Sequence, residues 1–305
     1  MSIFRDGRHI GFIGGDMRIS ILAAIMKNHG FDIKMYGVTG ADRFTENEEC
    51  DAIEKLFAFS EIIVLPVPVT RDKTCVFAER REISILLRDL IFDSKIFGKK
   101  IFFGGLIPRD FKASLEEHGH TVIDVFENDR LINNNAIATA EGALMIAMEK
   151  LPTTIISTKF AVLGFGRIGS HLANIISALG GEVTVFARRD EALNNAQRHG
   201  YRSVKLLSDL TEKYEDEISR ELDGASVIFN TVPSVIVKRG IMEKMHKRPL
   251  YVELASYPYG IDSKDARELE FNTVYAPSLP GRYSPVSAAE YIFEAISYYM
   301  SELEG

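Results

Sequence analysis

A chain of 305 residues, 46% apolar and 26% charged, has enough length for two domains with their own cores and the composition of an ordinary globular protein. Its formal net charge of −7 argues against a phosphate-coating surface, so nucleic acid is not an expected partner. The opening MSIFRDGRHI lacks the apolar stretch of a signal peptide, and no run approaches the roughly 18 apolar residues of a membrane helix, so no membrane partner is expected.

Taken in chain order, residues 10–37, IGFIGGDMRISILAAIMKNHGFDIKMYG, read as apolar strand, glycine turn, helix, glycine stop and second strand. A dinucleotide fingerprint starting at Gly14 would need glycine at 16 and 19, where this chain has Asp16 and Ile19. Further apolar strands are predicted at 61–69, 99–108 and 121–126. Cys50 and Cys75 form no CxxC and read as ordinary thiols of a reducing, cytoplasmic compartment. His118 and His120 are the nearest approach to a metal pair, and no metal is expected. Residues 133–154 carry Ala140, Leu144 and Leu151 at helical spacing before Pro152, which predicts a connecting helix.

The rhythm then repeats. Residues 160–187, FAVLGFGRIGSHLANIISALGGEVTVFA, have the order and nearly the lengths of 10–37, and the later strands at 226–236, 249–258 and 272–278 parallel those of the first half. Continuous apolar strands alternating with helices predict an α/β protein of two Rossmann-like, doubly wound parallel-sheet lobes. The first is expected over 1–135 and the second over 136–286, with the connecting helix in the latter. The last stretch, 287–303, has capping-box spacing at Ser287 and Glu290 and an apolar stripe through Ile292, Ile296 and Tyr299. It is expected to return to the first lobe, leaving a hinged cleft for a substrate.

Gly164-Phe165-Gly166-Arg167-Ile168-Gly169 is a full GxGxxG, placed after a predicted strand and opening a predicted helix, which is the context the motif needs. The second strand runs into Ala187-Arg188-Arg189 with no acid before Asp190. An arginine pair suits a 2′-phosphate by charge and forked hydrogen bonding, so the expected cofactor is NADP in preference to NAD. Thr231, Val232 and Pro233 should end the fourth strand beside the cofactor, Ala255 and Ser256 follow the fifth at Glu253, and Leu279–Arg282 are expected to end the sixth.

The stretches IGGDMR (13–18), LPVPVTRD (65–72), ATAEGAL (138–144), VLGFGRIG (162–169), FNTVP (229–233), ELASYPYGID (253–262) and APSLPGRYSPVSAAE (276–290) resemble the A subunit of the dipicolinate synthases of spore-forming bacteria. The turn holding Tyr257 and Tyr259 is one that the family would fill with more glycine. The resemblance implies NADP-linked oxidation of dihydrodipicolinate, a planar dicarboxylate product, a flavoprotein-like second subunit, and the cytoplasm of the mother cell during sporulation. It leaves homo-oligomerisation open. A dianionic substrate calls for arginines at the cleft and one general base, and the loops offer Arg18, Arg71 and Arg282 as clamps. Asp16 and Glu141 are candidate bases and Thr139 a hydrogen-bonding residue, although Glu141 could instead serve the N-terminal dipole of the connecting helix. The alternatives are a D-2-hydroxyacid-dehydrogenase-like oxidoreductase and a non-catalytic NADP-sensing module. The first lacks a histidine after the fifth strand of its cofactor lobe, since none follows His246.

Overall fold

The structure, a computed structural model, describes residues 8–304 except 42, 43, 46, 81, 82 and 208–210. The start of the chain, residues 1–7, where no signal peptide was expected, lies outside the described residues. The chain divides into two compact units, Met1–Asn135 with Ser284–Gly305, and Ala136–Tyr283.

The first unit runs β1 (His9–Ile13), α1 (Met17–Asn28), β2 (Asp32–Tyr36), α2 (Ile53–Phe59), β3 (Ile62–Val64), α3 (Leu87–Ile96), β4 (Ile101–Gly104), α4 (Arg109–Glu117), β5 (Thr121–Asp124) and the start of α5 (Asp129–Lys150). Its five strands are all parallel in the order β2-β1-β3-β4-β5. Strand β1 is almost wholly apolar because helices cover both faces: Ile10 and Phe12 enter one core with Val64 and Phe103, while Ile13 enters the other with Ile63 and Phe102. The predicted strand 61–69 is only three residues long. Pro66 and Pro68 bring no N–H to a ladder, so the chain leaves the sheet there as a loop.

The second unit takes the rest of α5, then β6 (Lys159–Leu163), α6 (Arg167–Ala178), β7 (Glu182–Ala187), α7 (Asp190–Arg198), β8 (Arg202–Lys205), α8 (Glu212–Asp223), β9 (Val227–Asn230), α9 (Arg239–Lys244), β10 (Leu250–Glu253), α10 (Ser263–Glu268), β11 (Thr273–Tyr275) and α11 (Leu279–Tyr283). Six parallel strands lie in the order β11-β10-β9-β6-β7-β8, so the order reverses between β6 and β9. Strand β6 alternates its side chains between two cores, Phe160 and Val162 into one, Ala161 and Leu163 into the other. The stretch Leu279–Arg282, expected to end a strand, is the short helix α11. It packs on α5 where Gly142 leaves room: a Cβ there would stand 3.0 Å from Leu279 Cβ and 3.1 Å from Tyr283 Cδ2.

The chain closes with α12 (Pro285–Glu304), whose Ala289, Ile292, Ala295, Ile296 and Met300 complete the core of the first unit beside Leu22, Ala23 and Met26 of α1. Each large side chain buried there contributes about 1.5–3 kcal/mol, which is why the predicted stripe has a surface to rest on.

Candidate dinucleotide site and the first-unit charge cluster

The order reversal beside β6 makes the carboxyl ends of β6 and β9 the ligand edge of the second sheet. There Gly164 has φ +94°, and a Cβ on it would lie 2.4 Å from Thr231 Oγ1. A Cβ on Gly169 would lie 2.2 Å from Gly164 O, so this glycine is what allows α6 to sit against its own turn. Gly166 differs: nothing lies within 4 Å of an added Cβ, so the turn opens onto free space. Gly166 is also the N-cap of α6 and no side chain caps the helix, so Arg167 and Ile168 begin a helix whose positive end faces that space.

A cavity of about 370 Å³ starts at Gly164, Phe165 and Gly166. It is bounded on one side by Ala187, Arg188 and Arg189 after β7 and on another by Thr231, Val232 and Pro233 after β9. Thr231 is fixed by its own β6 neighbour, with N and Oγ1 both donating to Leu163 O at 2.9 Å. The nearest acid to β7, Asp190, is held by Lys205 of β8. Among the described residues no ion pair engages Arg188 or Arg189, and both are exposed at the cavity wall. Three of the predicted cofactor stretches thus meet at one cavity. Ala255 and Ser256 do not line it; they follow β10 on the same edge, beside β9.

The first unit has the same strand-turn-helix with a different interior. Gly14 and Gly15 have φ +66° and +96°, but Gly14 N donates to Tyr36 O at 2.9 Å and Gly15 N to Phe77 O at 2.7 Å. Residues 76–79 lie over the turn, with Gly15 bridged to Ala78 and Glu79 N donating to Gly15 O at 3.2 Å. Asp16 N-caps α1 through Arg18 N at 3.1 Å. Its carboxylate also takes Arg18 Nε at 2.9 Å and Nη2 at 2.7 Å, and Nη2 reaches on to Val67 O. Both side chains are about 95% buried, so this fork ties the proline loop after β3 to the start of α1.

Two further charged residues gather around that pair. The Arg71 guanidinium lies 3.6 Å from the Phe77 ring centroid; burial lowers its pKa, and the Asp16 carboxylate pulls it back up. Glu79 is exposed, and its pKa is raised by partial desolvation first and by Asp16 second, with Arg71 and Arg18 opposing. Glu79 escapes a reading of the sequence because FAERRE (77–82) looks like a solvated charge run. Only the bridge to Gly15 brings it to the turn.

The remaining candidates belong to the second unit. Thr139 is buried and Glu141 exposed in the interior of α5, whose first residue is Asp129, so Glu141 is too far along the helix to act on its N-terminus. Arg282 is exposed in the last turn of α11, 4.9 Å from the Tyr283 ring. Glu253 is a structural carboxylate, 2% exposed, receiving Asn230 Nδ2 at 2.6 Å, Ala255 N at 2.9 Å and Gly260 N at 2.7 Å. Burial raises its pKa and those donors lower it. Among the described residues no cluster of three metal-ligating side chains occurs, and no helix is long and apolar enough to cross a membrane.

The sheet order and the open glycine turn define the class: an α/β protein with the Rossmann-type fold. Comparison with known proteins narrows it. The family model for the N-terminal domain of the dipicolinate synthase A subunit matches residues 9–126. A curated relative, the dipicolinate synthase A subunit of Bacillus subtilis (strain 168), is 27% identical over 299 residues, 98% of this chain and 97% of its own. The crystal structure of the dipicolinate synthase A chain from Bacillus subtilis has a TM-score of 0.80 at 26% identity, covering 100% of this chain and 99% of that one. That of the A subunit from Bacillus halodurans has a TM-score of 0.82 at 24% identity, covering 97% and 98%. The chain thus resembles the dipicolinate synthase A subunit along its whole length, and residues 9–126 match the model of that subunit's N-terminal domain.

Proposed function

We propose that this chain is the dinucleotide-binding subunit of a dipicolinate synthase, oxidising dihydrodipicolinate to dipicolinate with NADP. The observation that carries the cofactor half is the open cavity between Gly164–Gly166 and the end of β7, where Arg188 and Arg189 stand in place of an acid. The substrate half rests on the resemblance to the dipicolinate synthase A subunit. NADP supplies the hydride acceptor when bound; a dihydropyridine ring that gives up a hydride and a proton becomes aromatic, leaving NADPH and the proton as the other products.

The chain's own part is binding and proton handling. The turn at Gly166 and the start of α6 hold the pyrophosphate, and Arg188 and Arg189 hold the 2′-phosphate. Arg71, set over the Phe77 ring, offers its guanidinium to a ring carboxylate. Arg18, its charge shared with the Asp16 carboxylate that positions it, is a second proposed clamp. That leaves Glu79, its affinity for a proton raised, as the acceptor of the ring proton. Thr139, Glu141 and Arg282 remain proposed substrate contacts of the second unit, and Ala255 and Ser256 proposed cofactor contacts. We place the reaction in the mother-cell cytoplasm during sporulation, with a flavoprotein-like second subunit completing the enzyme.

The test is NADPH formation from freshly generated dihydrodipicolinate, with and without the second subunit, beside titrations of NADP and NAD. Replacing Arg188 and Arg189 by serine should weaken NADP about 10- to 100-fold, ~1.4–2.7 kcal/mol, and leave NAD unchanged. Tight NADP binding with no turnover in the presence of the second subunit would make the chain a sensor. Turnover of a 2-hydroxy acid would make it a dehydrogenase of another kind.

A further inference from the structure

The loop after β10 is anchored at both ends by one buried carboxylate, Glu253, through Ala255 N and Gly260 N. Gly260 O in turn accepts Ile236 N at 2.8 Å and Val237 N at 2.9 Å, so the loop is also tied to the chain leaving β9. On this base stand three aromatic rings. Tyr257 meets Tyr259 edge to face, centroids 5.8 Å apart at 86°, and Tyr259 meets Tyr275 at 5.1 Å and 62°. Tyr257 is 82% exposed, so its ring contributes little to the core.

Tyr259 has φ +66°, the left-handed region where a side chain is strained and glycine is not. A tyrosine kept at such a position, beside a ring left in solvent, suggests a role outside folding. The place is informative too. In the order β11-β10-β9-β6-β7-β8, Arg188 and Arg189 mark the adenosine side at β7. The tyrosine loop follows β10, on the far side of β9, where the other end of a dinucleotide lies in this fold.

We infer that Tyr257 and Tyr259 form a stacking platform for a planar ring at the reacting end of the dinucleotide site, the ligand class being a flat heteroaromatic or dihydroaromatic ring acid. The platform rests on, and deepens, the function proposed above. It selects for flatness: a planar ring offers its face to a tyrosine, and a puckered saturated ring does not.

Calorimetry on the whole chain, with and without NADP, tests it with three probes: dipicolinate, its saturated piperidine diacid, and the uncharged planar diamide of dipicolinate. Tyr257→Ser and Tyr259→Gly should each weaken both planar probes about tenfold, ~1.4 kcal/mol, and leave the saturated diacid unchanged. Tyr259→Gly should do so without lowering Tm, since glycine suits the backbone there. Dipicolinate bound equally by wild type and both variants would overturn the platform and leave the proposed reaction standing. Tyrosine-dependent binding of the diamide with no binding of dipicolinate would keep the platform and remove that substrate. Failure of wild type to bind either planar probe would overturn the platform.

Discussion

The two glycine turns of this chain begin alike and end oppositely. In the second unit the middle glycine, Gly166, faces open space; in the first, Gly14 and Gly15 are closed over by residues 76–79, and their amides already have carbonyl partners. Gly164 N also donates to its neighbouring strand, at Phe186 O, so the turns differ in the cover over Gly15 and the open space at Gly166, where a pyrophosphate has room for its oxygens. The first turn carries charge instead: Asp16 and Arg18 are buried at it, and Arg71 and Glu79 lie close enough to feel the Asp16 carboxylate. Duplicated geometry therefore does not carry duplicated function. What occupies the turn decides.

The buried pair Asp16–Arg18 carries the largest expected effect. Arg18→Met should cost about 3–5 kcal/mol of stability, because it strands the Asp16 carboxylate away from water, and pairing it with Asp16→Asn should recover part of that loss. Denaturant melts of the single and double variants measure it. A loss below ~1 kcal/mol would be that of an exposed pair and would mean that Arg18 is free to swing to a ligand.

The glycines are next. Gly166→Val should weaken NADP about 100-fold, ~2.7 kcal/mol, with Tm unchanged, because the side chain meets only the ligand's space. Gly14→Ala should do the reverse: its Cβ would lie 2.7 Å from Phe77 O at a left-handed φ. That change costs about 2–4 kcal/mol of stability and leaves NADP affinity intact. NADP titrations paired with thermal melts would expose any crossover.

The smallest effect is on pH. Glu79 loses its proton at a higher pH than an ordinary carboxyl, and a base works only when ionised. So kcat/KM should fall as pH drops through a point above that of an ordinary glutamate, and Glu79→Gln should lower the rate and erase that limb. A limb that survives the substitution belongs to another group.

Much of this was legible in the sequence, for local reasons. Strands β6 and β7 are continuous apolar runs, and GFGRIG sits at their junction, so the sheet and the cofactor turn follow from neighbours in the chain. Strand β8, Arg202–Lys205, is a polar edge strand with no such run, so its residues give no strand signal. The short helix at Leu279–Tyr283 read as a strand end because proline and glycine normally signal loops. The filling of the first turn depends on a segment some sixty residues on, and the hold on Val67 O spans 49 residues. Pairings at that distance leave no period or spacing to read.

The last helix has a consequence for how the protein is made. The second unit is one uninterrupted stretch, Ala136–Tyr283, whereas the first must wait for α12 to cover Leu22, Ala23 and Met26. During synthesis the later-encoded unit therefore has all its parts first, while the earlier one stays unfinished at the ribosome with an apolar face bare. Emergence of α12 seals it, so a chain cut before Ser284 should keep a folded second unit and lose the first to aggregation.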